Sequence, residues 1–116
     1  MSKNGATVAI CGYARTGITK ARRGGLNITH GIPMLAHCMR HAVSRGKIDP
    51  SEVEEVVVGC GFPEGATGHN IARNAAVAAG LPLSTSGVTL TRYCASGISA
   101  VDYAMRQIAM GSTKVA

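Results

Sequence analysis

Aromatic residues are almost missing from this 116-residue sequence: there is no Trp, one Phe and three Tyr. A core of bulky rings is thereby excluded, and burial has to come from Val, Ile, Leu, Ala and Met. No apolar run approaches the ~20 residues a membrane-spanning helix requires. Acidic residues are absent from residues 1–48, which carry Lys3, Arg15, Lys20, Arg22, Arg23, Arg40, Arg45 and Lys47. No C-x-x-C pair occurs among Cys11, Cys38, Cys60 and Cys94, which excludes a zinc ribbon or a disulfide-stapled mini-domain. A basic stretch followed by an apolar stretch is also lacking, so a secretory signal is not expected. An acid-free, Arg-containing start invites a transit-peptide reading. Against it, the apolar run 6–13 looks like a strand beginning almost at once, and the chain reads as intracellular and mature.

What is present is apolar content of 46%, 15 glycines, and a net charge of +6 concentrated in the first half. That balance excludes disorder and suits at most one ordinary domain. The one-sided charge points to an anionic ligand, a nucleic acid, an acidic surface in the native assembly, or simply a solvated basic face.

Along the chain, residues 6–13 are expected as a strand and 15–27 as a basic, Gly-rich loop. Apolar positions Ile32, Leu35, Ala36, Met39, Ala42 and Val43 predict a helix over about 33–45, with His37, Arg40, His41 and Ser44 opposite. Glu54–Cys60 reads as a β-branched strand, 59–68 as a glycine-rich loop, and Asn70–Ala79 as a small-residue helix stopped by Gly80 and Pro82. Val88–Thr91 is a further strand. Residues 95–110 are the longest helix candidate, with Ile98, Val101, Met105, Ile108 and Ala109 on one side. Lys114-Val115-Ala116 starts another strand. The expected fold class is α/β, of order βαβαβα with a parallel sheet and layered helices.

The segment Thr91-Arg92-Tyr93-Cys94-Ala95-Ser96-Gly97-Ile98 carries the strongest chemical signal. A cysteine where a strand turns into a helix meets unpaired N–H groups and the positive end of the helix dipole, which favour a thiolate. The same amides, that of Cys94 included, are candidate donors to the oxyanion of a carbonyl under attack. The alternative is an inert buried cysteine.

RYCASGISA resembles the nucleophile motif of the thiolase family. Ala14-Arg15-Thr16 with Lys20-Ala21-Arg22-Arg23-Gly24 is similar to that family's N-terminal loop, although Gly17 stands where many members have proline. Val56-Val57-Val58-Gly59-Cys60 and Pro63-Glu64-Gly65 resemble its second strand and following loop. Gly68-His69-Asn70-Ile71-Ala72-Arg73-Asn74-Ala75-Ala76, then Ala79-Gly80-Leu81-Pro82, resembles its Asn-x-Ala-Arg helix. The Pro-Glu-Gly and Asn-Ile-Ala-Arg forms look more like degradative members than biosynthetic ones.

The resemblance implies a thiolase-like fold, of which residues 1–116 would be the N-terminal part of the N-terminal domain. It implies acyl transfer between thioesters, with Cys94 as the acyl-accepting nucleophile. Coenzyme A would be substrate and product, with no cofactor held permanently and no metal. Thiolytic cleavage of a 3-oxoacyl-CoA, or the reverse condensation, would be the reaction, in fatty acid metabolism. A homodimer or homotetramer in the cytoplasm or an organellar matrix is further implied. The family's histidine, asparagine-bearing motif and second cysteine have no counterpart in these residues, so the chain alone is expected to be inactive and to be a piece of a longer protein.

Rival readings are weaker. A thiolase-like scaffold that binds acyl-CoA or a partner without catalysis remains open. Gly59-x-Gly61 with Gly65 and Gly68 lacks dinucleotide-loop spacing. His37 and His41 have a two-ligand spacing but show no third ligand. The loop Lys20–Gly25 could meet phosphates but lacks interleaved aromatics and a nucleic-acid fold signature.

Overall fold

The computed structural model describes residues 7–116; Lys3 and the first residue of the 6–13 run lie outside them. Element order is α1 (Gly31–Gly46), β1 (Glu55–Gly59), α2 (Ile71–Ala79), β2 (Ser86–Leu90) and α3 (Ser96–Ala109), with short 3₁₀ turns at Pro50–Glu52, Gly65–Thr67 and Tyr93–Ala95.

β1 and β2 pair in parallel, Val56 opposite Gly87 and Gly59 opposite Leu90. The strand period of two then sorts the residues by face. Val56 and Val58 are buried and join Val53, Ile71, Ala72, Ala76 and Leu81 in the core, against which Ile32, Leu35, Met39 and Val43 of α1 pack. On that same face a side chain at Gly87 would fall within 2.6 Å of the Arg73 amide of α2. Gly59 lies on the opposite face, where α3 packs. The result is three layers: α1 and α2, a two-stranded sheet, and α3.

Polar side chains fix α2 to the sheet. Asn70 donates to the Gly87 carbonyl (2.9 Å) and accepts from the Thr89 hydroxyl (2.8 Å). Thr89 Oγ1 in turn accepts from the Ala72 amide. The Arg73 guanidinium donates to the carbonyls of Thr85 and Leu83 (2.6 and 2.9 Å). Buried Thr85 donates to the Val53 carbonyl at 2.7 Å. His30 starts α1, its Nδ1 accepting from the Ile32 amide, a capping role unusual for that residue type.

Three expectations are corrected. The described part of the 6–13 run is not a strand, so the observed order is αβαβα rather than βαβαβα. It lies instead along the end of α1, where Arg45 donates to the Tyr13 carbonyl and Gly12 sits against the Ala42 carbonyl and Gly46. A strand exists only where a neighbour takes its backbone groups, and this segment's contacts are with a helix. Residues 114–116 likewise form no strand: Val115 accepts from the Glu54 amide at 3.0 Å, but the pairing goes no further. Finally, the apolar side of α3 does not face this chain's core. The helix buries Ser96 and Ala100, while Ile98 is 70% and Val101 51% exposed. Small residues let α3 lie close on β1, which turns the bulky ones outward.

Candidate active site around Cys94

β2 ends at Leu90, and the chain turns through residues 91–95 before α3 begins. Tyr93 has φ 46°, in the left-handed region, at a cost for a non-glycine residue of about 1–2 kcal/mol. The surrounding bonds hold it there. Ser96, only 3% exposed, accepts at Oγ from the Arg92 amide (2.8 Å) and donates to the Tyr93 carbonyl (2.7 Å). Thr91 Oγ1 accepts from the Tyr93 amide and donates to the Gly61 carbonyl. The Ala95 amide donates to the Arg92 carbonyl at 3.0 Å.

This turn leaves Cys94 exposed as a free thiol, two residues before the first residue of α3. No side chain caps α3, and its first turn carries no acidic residue. The positive end of the helix dipole is therefore uncompensated from within the helix, which suits a developing oxyanion beside it. Cys94 is exposed here, where the alternative reading expected it buried.

The glycines after β1 support the turn. A Cβ at Gly59 would fall on the Ser96 carbonyl and within 2.7 Å of the Gly97 nitrogen. One at Gly61 would sit 3.4 Å from the Tyr93 carbonyl oxygen. Their role is close backbone approach, which the weak dinucleotide reading missed. The signal available was a Gly-x-Gly directly after one strand, with small residues opening the helix after the next. Phe62, in the same loop, meets Tyr93 edge-on at 6.4 Å between ring centroids, and both rings are largely exposed. A groove of about 510 Å³ runs from Thr91 and Arg92 along Ile98, Asp102 and Arg106, beside the turn and without Cys94 in its wall.

Other candidates lie elsewhere. His37 and His41 meet at a tilt on the exposed face of α1, ring centroids 4.4 Å apart, and no group of three or more metal-ligating side chains occurs among the described residues. Cys38 is half-buried beside them. Lys20, Arg22 and Arg23 project from turns before α1, where Arg22 has φ 68°.

Residues 8–116 match the thiolase N-terminal domain. The chain belongs to the thiolase family. It is 39% identical over 110 residues to the beta-ketoadipyl-CoA thiolase of Pseudomonas aeruginosa, covering 94% of this chain and 27% of that protein. With the 3-ketoacyl-CoA thiolase of Bacillus subtilis it shares 33% over 99 residues, 85% of this chain and 25% of the relative. Among solved thiolase-family structures, the acetyl-CoA acetyltransferase of Bacillus anthracis superposes with TM-score 0.82 at 34% identity, over 90% of this chain and 26% of that one. A thiolase of Ascaris suum in complex with coenzyme A matches with TM-score 0.82 at 27% identity, over 90% and 27%. The chain thus spans about a quarter of the length of the curated relatives it matches.

Proposed function

We propose that this chain carries the acyl-accepting cysteine of a thiolase-type acyltransferase, and that Cys94 is that cysteine. The observation behind the reading is its placement: an exposed thiol on a buttressed turn at the N-terminus of α3, within a thiolase-family chain. The Cys94 thiolate attacks the keto carbon of a 3-oxoacyl-CoA, with the Cys94 amide as oxyanion donor. The bond between that carbon and its neighbour breaks, the shortened acyl group stays on sulfur, and the departing carbanion takes a proton to become acetyl-CoA. A second coenzyme A gives up its thiol proton and accepts the acyl group from Cys94. In reverse, two acyl-CoA units condense. The coenzyme A complex of the Ascaris suum relative supports coenzyme A as substrate and product.

These proton transfers need a positioned acid and base. The chain's histidines are at α1 and ahead of α2: His30 caps α1, His37 and His41 lie together on its exposed face, and His69 sits in the loop before α2. In this reading the base comes from residues outside this chain, which is the N-terminal part of the thiolase N-terminal domain and is inactive alone. A homodimer or homotetramer working in fatty acid metabolism completes the proposal. The free thiols of Cys11, Cys38, Cys60 and Cys94 suit a reducing compartment, the cytoplasm.

The test is brief incubation of the whole protein with acetyl-CoA, followed by peptide mass analysis. One acetyl group on Cys94 is expected, and Cys94→Ser is expected to fold yet lose turnover by several orders of magnitude. Acyl-CoA binding without acetylation would identify a non-catalytic scaffold and overturn the reading. Full activity of Cys94→Ser would do the same.

A further inference from the structure

The hydroxyl of Ser96 is oriented backwards relative to an ordinary helix cap. A capping oxygen accepts from amides one turn ahead, inside the helix. Ser96 is the first residue of α3 rather than its cap, and its Oγ bonds to residues 92 and 93 behind it. One hydroxyl is used in both directions, accepting from the Arg92 amide and donating to the Tyr93 carbonyl. Those two peptide groups bracket Arg92 and the left-handed Tyr93, whose backbone sets the direction in which Cys94 leaves the turn. Ser96 is 3% exposed, and its carbonyl packs against Gly59.

We propose that Ser96 is a positioning residue for Cys94: its bridging hydroxyl locks the disfavoured turn so that the thiol stands at the N-terminus of α3. This rests on the reading of Cys94 as acyl acceptor. The Ser96 hydroxyl bonds to backbone at residues 92 and 93, so its loss is expected to affect alignment at the reacting atom and to leave acyl-CoA binding alone. A displacement of about 1 Å at a reacting group costs on the order of a hundredfold in rate.

The experiment is single-turnover acetylation of Cys94 by acetyl-CoA in the whole protein. Ser96→Ala is expected to lower the maximal rate about a hundredfold with the half-saturating acetyl-CoA concentration unchanged. Ser96→Thr, which keeps the hydroxyl, is expected to recover most of the rate. Thr85→Val, which removes a buried hydroxyl bond far from the turn, should reduce stability without slowing acetylation. A wild-type rate in Ser96→Ala, or a loss confined to half-saturation, overturns the proposal.

Hydrogen exchange of the Arg92 amide provides an arm independent of acylation and of whether Ser96→Ala folds. Slow exchange in the wild-type protein supports the bridge, and exchange at the rate of an unprotected amide overturns it. If the wild-type protein takes no acetyl group, the acyl-acceptor reading fails, and the Arg92 amide alone decides whether Ser96 holds the turn.

Discussion

Replacing Gly59 by alanine puts one methyl group where two backbone segments meet. The added carbon would collide with the Ser96 carbonyl and stand 2.7 Å from the Gly97 nitrogen. Comfortable carbon contacts begin at about 3.5 Å, so the start of α3 has to retreat by roughly 1 Å. The atoms in the way are backbone, and no rotamer change relieves the collision. Overpacking of this kind costs about 1–3 kcal/mol, against a gain of roughly 0.5–1 kcal/mol from replacing glycine inside a strand. A net loss of about 1–2 kcal/mol follows. Urea denaturation followed by circular dichroism reads this as a midpoint lowered by about 1 M, given slopes of roughly 1–3 kcal/mol per M. Gly97→Ala is the local control: nothing lies within 4 Å of its Cβ, and a helical Gly→Ala change gains up to about 1 kcal/mol. If Gly59→Ala melts at or above the wild-type midpoint, the close packing of α3 on β1 is refuted, and with it the account of how the turn is buttressed.

Two further outcomes test the rest of the fold. Thr85→Val keeps the shape but leaves the Val53 carbonyl without its 2.7 Å donor, at a position 1% exposed; a loss of about 1–3 kcal/mol is expected by the same denaturation assay, and an unchanged midpoint would refute the bond's role. Asp49 accepts from the Ser51 amide at 2.9 Å, and that bond holds its carboxyl below the ordinary value of 3.8. A depressed carboxyl stabilises the fold above its unfolded value and loses the contribution as pH falls through the folded one. The stability difference between wild type and Asp49→Asn, followed by thermal melts from about pH 6 to pH 2, is therefore expected to shrink only below about pH 4; a difference constant with pH would refute it.

Local periodicity and punctuation carried much of the fold. The α1 stripe, the run Val56-Val57-Val58 and the Gly80 stop each encode an element in their own neighbourhood, and those elements formed within two or three residues of their expected ends. The 6–13 run shows the limit: it has strand composition, but strand status depends on a partner elsewhere in the chain, and Arg45 and Gly46 hold its end, Gly12 and Tyr13, against α1. The α3 stripe shows a second limit. Periodicity places Ile98, Val101 and Met105 on one side without specifying whether a small-residue side packs closer to the sheet.

The same division runs through the site. Cys94, at the junction of a strand and a helix amid small residues, was legible from order alone, because strand, turn and helix are local states set by neighbouring side chains. The positive φ of Tyr93, the backward-bonding hydroxyl of Ser96 and the need for glycine at position 59 were not. The last arises where the end of β1 and the start of α3 meet, more than thirty residues apart in the chain; the first two lie within residues 92–96, in a turn that no side-chain periodicity encodes. Steric contact and hydrogen-bond geometry between distant backbone segments have no counterpart in local composition, and only the packed tertiary structure decides them.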